Sequence, residues 1–267
     1  MSVINKLKTL SFTLHINDID WMNVLVGNNV KTLEFIYIDI SGNIFGNEYH
    51  RLFTSLSNVK QLKALSISCM KTIDKSFPTS LTLLSGNSCL KSMTLFVKPT
   101  NIENIISIFQ AINRFPNIRR FYFETKTKYF HPISRHSLPN DILKNCRKIT
   151  HLTLNSYIFK IDDQFITNIV KRLPHLQNIR CNSTTISSIA LKLKSLKFIH
   201  FWNNNKQLLS DESVIIDMCR MSRKLQSIFI GEEEYYVKLN DCDIALIRNR
   251  DINNEYYPRI IKDSMDW

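Results

Sequence analysis

Apolar positions along this chain recur in one short phrase, apolar-x-x-apolar-x-apolar, which appears nine times. It reads LKTLSF from Leu7, VKTLEF from Val30, LKALSI from Leu62, LKSMTL from Leu90, IRRFYF from Ile118, ITHLTL from Ile149, LQNIRC from Leu176, LKFIHF from Leu196 and LQSIFI from Leu225. Successive starts lie 23, 32, 28, 28, 31, 27, 20 and 29 residues apart. The last two anchors of each phrase flank one polar or variable residue, as Leu152 and Leu154 flank Thr153, and that period of two predicts a short strand with one buried face. Between phrases the period lengthens to that of a helix. In PTNIENIISIFQAINRFP, Thr100 is the expected cap, Glu103 completes a capping box, and Ile102, Ile105, Ile106, Phe109 and Ile112 form the apolar stripe. DDQFITNIVKRLP repeats the design, with Asp162 or Asp163 as cap and Phe165, Ile166, Ile169, Val170 and Leu173 as the stripe. SDESVIIDMCRMSRKL, after Ser210, predicts another helix.

A strand and a helix returning at a fixed period predict an α/β solenoid, with an inner parallel β-sheet and outer helices. The chain resembles the leucine-rich-repeat proteins over residues 3–235. Its units of about 28 residues with long outer helices resemble the ribonuclease-inhibitor-like class, including the repeat region of F-box proteins. The resemblance implies a horseshoe of about nine degenerate repeats. The leucine-rich phrase ordinarily carries Asn or Cys three residues after its last anchor. Here that position reads His15, Ile38, Met70, Lys98, Lys126, Tyr157, Thr184, Asn204 and Glu233, so Asn204 alone matches. The rival architecture is an ordinary two-domain α/β protein. Residues 1–235 are expected to form the repeat domain and 236–267, which break the period, a C-terminal cap or tail.

Composition narrows the setting. A chain of 267 residues with 44% hydrophobic content can build a large core. No apolar run approaches the roughly 18 residues of a membrane-spanning helix, and the N-terminus lacks a signal-peptide block, so a cytoplasmic or nuclear location is the expectation. Cys69, Cys89, Cys146, Cys181, Cys219 and Cys242 show no C-x-x-C spacing and read as free, mostly buried thiols. The net charge of +12 comes from Lys and Arg spread over every segment, which predicts a diffusely basic surface.

No phosphate-loop, dinucleotide, metalloprotease or serine-hydrolase motif occurs, and five glycines leave little material for a phosphate cradle. The carboxylates of Asp162, Asp163 and GEEEYY at 231–236 read as a helix cap and solvated side chains. The expectation is a protein with no catalytic residues, no metal and no cofactor.

A partner would then meet the residues that alternate with the strand anchors. The central lane reads Ser11, Glu34, Ser66, Thr94, Tyr122, Thr153, Arg180, His200 and Phe229. The lane before it reads Thr9, Thr32, Ala64, Ser92, Arg120, His151, Asn178, Phe198 and Ser227, and the lane after it Thr13, Ile36, Ser68, Phe96, Glu124, Asn155, Asn182, Trp202 and Gly231. The early units offer mostly small hydroxyls. The later ones gather Arg120, Tyr122, His151, Arg180, Phe198, His200, Trp202 and Phe229, the residue types that carry binding energy at protein interfaces. These eight are the candidate partner-binding residues. By its resemblance the chain would be a substrate-recognition module, with ubiquitin-ligase subunits as further partners. The first phrase begins at Leu7, which leaves no room ahead of it for an F-box. Single-stranded nucleic acid is the alternative ligand, since bases stack on aromatic rings and cations follow phosphates.

Overall fold

The structure is a computed structural model that describes residues 6–15, 18–42, 44, 46–125, 142–155, 163–181, 196–201, 224–230, 233–239 and 244–249. Its centre is one eleven-stranded open sheet whose strands follow one another in sequence order. The strands are β1 (Thr9–Leu14), β2 (Phe35–Ile40), β3 (Ala64–Ile73), β4 (Ser92–Pro99), β5 (Arg120–Thr125), β6 (His151–Asn155), β7 (Asn178–Cys181), β8 (Phe198–Phe201), β9 (Ser227–Ile230), β10 (Glu233–Leu239) and β11 (Ile244–Asn249). β1 to β9 are parallel, and β10 and β11 add antiparallel. The sheet thus continues through residues 235 and 236, where the period ends, and Glu233 to Tyr236 of the GEEEYY stretch lie within a strand.

Parallel neighbours need a crossover, and five are described as helices: α1 (Ile19–Asn28), α2 (Asn47–Ser57), α3 (Ser76–Leu81), α4 (Ile102–Ile112) and α5 (Asp163–Arg172). α1 packs on α2, α2 on α3 and α3 on α4, so these helices form one layer on one face of the sheet. In α2 the buried residues Tyr49, Leu52, Phe53 and Leu56 fall at helical spacing. Tyr49 and Phe53 meet the ring of Phe77 in α3 edge-on, at 5.2 and 5.5 Å. Phe109 of α4 lies over Phe121 and Phe123 of β5 at 6.1 and 5.1 Å, joining the helix layer to the sheet. Among the described residues no helix is long and apolar enough to cross a membrane.

The starts of β2 to β9 are each tied to the preceding strand's start in the same way. The carbonyl of Glu34 accepts from the amides of Lys63 and Ala64, that of Lys63 from Lys91 and Ser92, and that of Lys91 from Arg119 and Arg120. The pattern continues from Arg119 through Thr150 and Gln177 to Lys197. Apart from Glu34, these are the residues one place after the first anchor of their phrase, so eight of the nine phrases stand in the expected phase.

The second does not. Leu10 of β1 is in register with Ile36, and Phe12 with Ile38, so the phrase is LEFIYI from Leu33. The first two spacings become 26 and 29 residues in place of 23 and 32, nearer the rest. Both readings satisfy the pattern because Phe35, Ile36, Tyr37 and Ile38 are all apolar. The core selects Ile36 and Ile38, both buried, over the half-buried Phe35 and Tyr37.

The start of α4 also departs from expectation. Asn101 is the cap, its side chain accepting from the Asn104 amide at 2.9 Å. Thr100 accepts instead from the Asn104 side chain, which also donates to the Ile73 carbonyl at 3.1 Å. Glu103 therefore closes no capping box. Ile108 is buried in this helix, and Ile106 only partly so. In α5, Phe165, Ile169 and Val170 are buried as expected, with Leu173 just beyond its end, and Asp163 is its first residue. Asp162 and the helix expected after Ser210 lie outside the described residues. Cys69, Cys146 and Cys181 are buried and Cys89 is partly exposed, all as thiols outside any disulfide.

Candidate functional site

The face of the sheet away from the helices is left to the residues between the anchors. Register aligns Arg120, His151, Asn178 and Phe198 along one lane, and Tyr122, Thr153, Arg180, His200 and Phe229 along the next. Neighbouring members of a lane sit on strands about 4.8 Å apart. Six of the eight candidate residues thus have described positions and side chains on one contiguous area. Phe229 has the expected register, and Trp202 lies outside the described residues. The three-residue correction in β2 replaces Thr32, Glu34 and Ile36 with Phe35, Tyr37 and Asp39 in the three lanes. The early part of the face is therefore less uniformly small and hydroxylic than the sequence suggests.

Side chains on this area differ in exposure. Phe198 is 36% exposed, whereas Arg180 and His200 are each only 9% exposed. Tyr122 stacks at a tilt on Phe96 of β4, ring centres 4.8 Å apart, and its hydroxyl donates to Glu124 two residues on. Phe96 and Glu124 thus belong to the same surface. Sequence reasoning placed both in a lane without adding them to the patch. The signal available for Glu124 was its i, i+2 relation to Tyr122, whereas Phe96 meets that ring only through the pairing of β4 with β5.

His151 is a strongly perturbed ionisable group on the face, with a pKa lowered to about 4. Burial is the larger cause, because the imidazolium would lose water, and the neighbouring Arg120 charge adds to it. The ring is therefore neutral at pH 7. Its Nδ1 lies 2.9 Å from Oγ1 of Thr150, whose hydroxyl donates to the Arg119 carbonyl at 3.1 Å.

The area can present aromatic surface, a guanidinium and a neutral imidazole. Reactive chemistry is harder to build from it. Among the described residues no three His, Cys, Asp or Glu side chains are grouped so as to hold a metal ion. Cys146 lies in the core away from this face, with its thiol pushed up to about 12 by burial, and it donates to the Ile112 carbonyl at 3.3 Å. Such a thiol is held protonated and shielded from solvent.

Neither a protein-family model nor a curated protein sequence matches this chain.

Proposed function

We propose that this chain is a non-enzymatic scaffold, a solenoid of leucine-rich-repeat character, that binds a protein partner on the open face of β5 to β9. The observation that carries this reading is the register itself. It lines up Arg120, Tyr122, His151, Arg180, Phe198 and His200 in two lanes on one face of the sheet, where Phe198 is exposed and Arg180 and His200 are largely buried. Rigid strands hold side chains at fixed spacing, and that preorganisation lowers the entropy lost when a partner binds. Aromatic and arginine side chains are also those that dominate interface energies. A role like that of the substrate-recognition part of F-box ubiquitin-ligase receptors draws its support from the sequence resemblance alone.

The test is affinity capture at moderate salt from nuclease-treated extract, with wild type beside a Phe198→Ala, Arg120→Ala double variant whose fold is checked by circular dichroism. Proteins retained by wild type and lost with the variant are the expected result. Identical capture by a folded variant would sink the reading.

A further inference from the structure

Lys and Arg look diffuse along the sequence, but the fold brings ten of the described ones to one edge of the sheet. Because β1 to β9 all point the same way, every segment that leads into β2 to β9 lies along one edge of the sheet. Residues 29–34, 58–63, 87–91, 113–119, 146–150, 173–177, 196–197 and 224–226 make up that rim. They carry ten Lys and Arg: Lys31, Lys60, Lys63, Lys91, Arg114 and Arg119, then Arg147, Lys148, Lys197 and Lys224. Against these stands one carboxylate, Glu34, which is bonded to Lys63 at 2.7 Å. Nine of the ten cations are exposed and Lys197 is half-exposed.

Helix dipoles do not account for this row. They would draw cations into the last turns of the helices, yet α1 to α4 have no basic residue there. Lys63, Lys91, Arg119 and Lys197 lie instead immediately before strands. The described part of the opposite edge is not similarly charged: between strand ends and helix starts stand Asp18 and Asp74 against Lys75.

We infer that this rim is a binding edge for the phosphate backbone of nucleic acid. Seven steps between the eight strands β2 to β9, at about 4.8 Å each, give a row of roughly 34 Å, the length of about one duplex turn, ~34 Å. A membrane surface or a protein interface would call for an apolar anchor among the cations. Among the described residues the exposed large hydrophobic ones lie elsewhere: Trp21 and Val24 on α1, Leu83 beyond α3, and Phe198 on the sheet face. A phosphate backbone needs no such anchor, since release of condensed counterions drives its binding. The rim is separate from the Phe198 and Arg120 variant used above, so either idea can fail alone.

The experiment is fluorescence anisotropy of a labelled mixed-sequence duplex across a salt series. It compares wild type, a rim triple (Lys91→Glu, Arg119→Glu, Lys148→Glu) and a control triple with the same charge change on or near the opposite edge (Lys71→Glu, Lys75→Glu, Lys98→Glu). Wild type is expected to bind with a steep salt dependence. The rim triple should flatten the slope of log K against log salt by about 3, one for each lost phosphate contact, while the control keeps the wild-type slope. If the rim triple fails to fold, the neutral triple to Gln serves in its place. Absence of duplex binding at low salt overturns the inference. So do equal losses in both triples, or competition by polyglutamate as effective as that by unlabelled duplex.

Discussion

Acidifying the folded protein should expose the burial of His151. Its pKa is lowered to about 4 from an ordinary 6.5. Between those two values the unfolded chain binds a proton that the folded chain does not, so folding stability falls as pH drops from about 6.5 to about 4. Above that window both states carry a neutral ring and the effect vanishes. At about 1.4 kcal/mol per pH unit the ceiling is about 3.4 kcal/mol. The ring is only half-buried, and solvent screening brings the expectation down to roughly 2 kcal/mol. The perturbation is His151→Gln, which is neutral at every pH. Urea unfolding at steps from pH 7 to pH 4 should show wild type losing that much more stability than the variant. The His151 imidazole resonances of the folded protein should titrate well below pH 6. Parallel pH profiles for the two proteins, or a His151 ring that titrates near 6.5, would refute the reasoning.

Three further outcomes rest on other parts of the fold. Phe109→Ala removes the ring that joins α4 to β5 and should cost about 3–5 kcal/mol in urea unfolding; a loss below about 1 kcal/mol would mean that the site collapses freely. Gly46 precedes α2 at φ 47°, and nothing lies within 4 Å of where a Cβ would stand. Gly46→Ala should therefore cost about 1–2 kcal/mol through the backbone alone, read as a drop in melting temperature. Asp20 pairs with Arg51 where both side chains are at least half exposed, and Asp20→Asn should change stability by no more than about 0.5 kcal/mol at moderate salt.

The parallel strands and their spacing were legible in the sequence because each carries apolar anchors two residues apart beside a polar neighbour. β2 was misplaced by three residues where that contrast disappears, since four consecutive apolar residues fit both phases. What settles its phase is the turn after α1, where Thr32 and Leu33 donate to the Asn29 carbonyl and fix how far the chain travels before pairing. Such a length is a property of the turn, invisible to a pattern of anchors. The cap of α4 was missed for a similar reason. Thr100 and Asn101 are both good caps, and the choice depends on Asn104 reaching the Ile73 carbonyl across the stack. The open-face lanes were predictable from strand phase, whereas the exposure of each member was not: Arg180 and Phe198 stand in neighbouring lanes but are 9% and 36% exposed. The basic rim was hidden because its residues are tens of positions apart and meet only when all strands point one way.

The absence of Asn after the third anchor has a physical explanation in the strands themselves. In β1, β2, β4 and β5 the alternation runs on to a third inward residue, Leu14, Ile40, Val97 and Thr125, and each is buried. A strand that continues keeps its backbone groups in the sheet ladder, and an Asn at that end would have little left to satisfy. The polar duty falls at the other end, where a helix stops and leaves carbonyls without partners. There Asn29 accepts from the Leu7 amide at 3.2 Å and donates to the Leu25 carbonyl at 3.0 Å. Asn87 donates to the Val59 carbonyl at 2.7 Å, in the preceding helix-to-strand turn, and accepts from the Cys89 amide. Cys146 takes the same place two turns later, its thiol donating to the Ile112 carbonyl. All three side chains are buried, and the bonds made by Asn87 and Cys146 span 28 and 34 residues, about one unit. The departure from the leucine-rich phrase is therefore a shift in where the chain meets its buried backbone groups, and a degenerate phrase is compatible with regular stacking of its units.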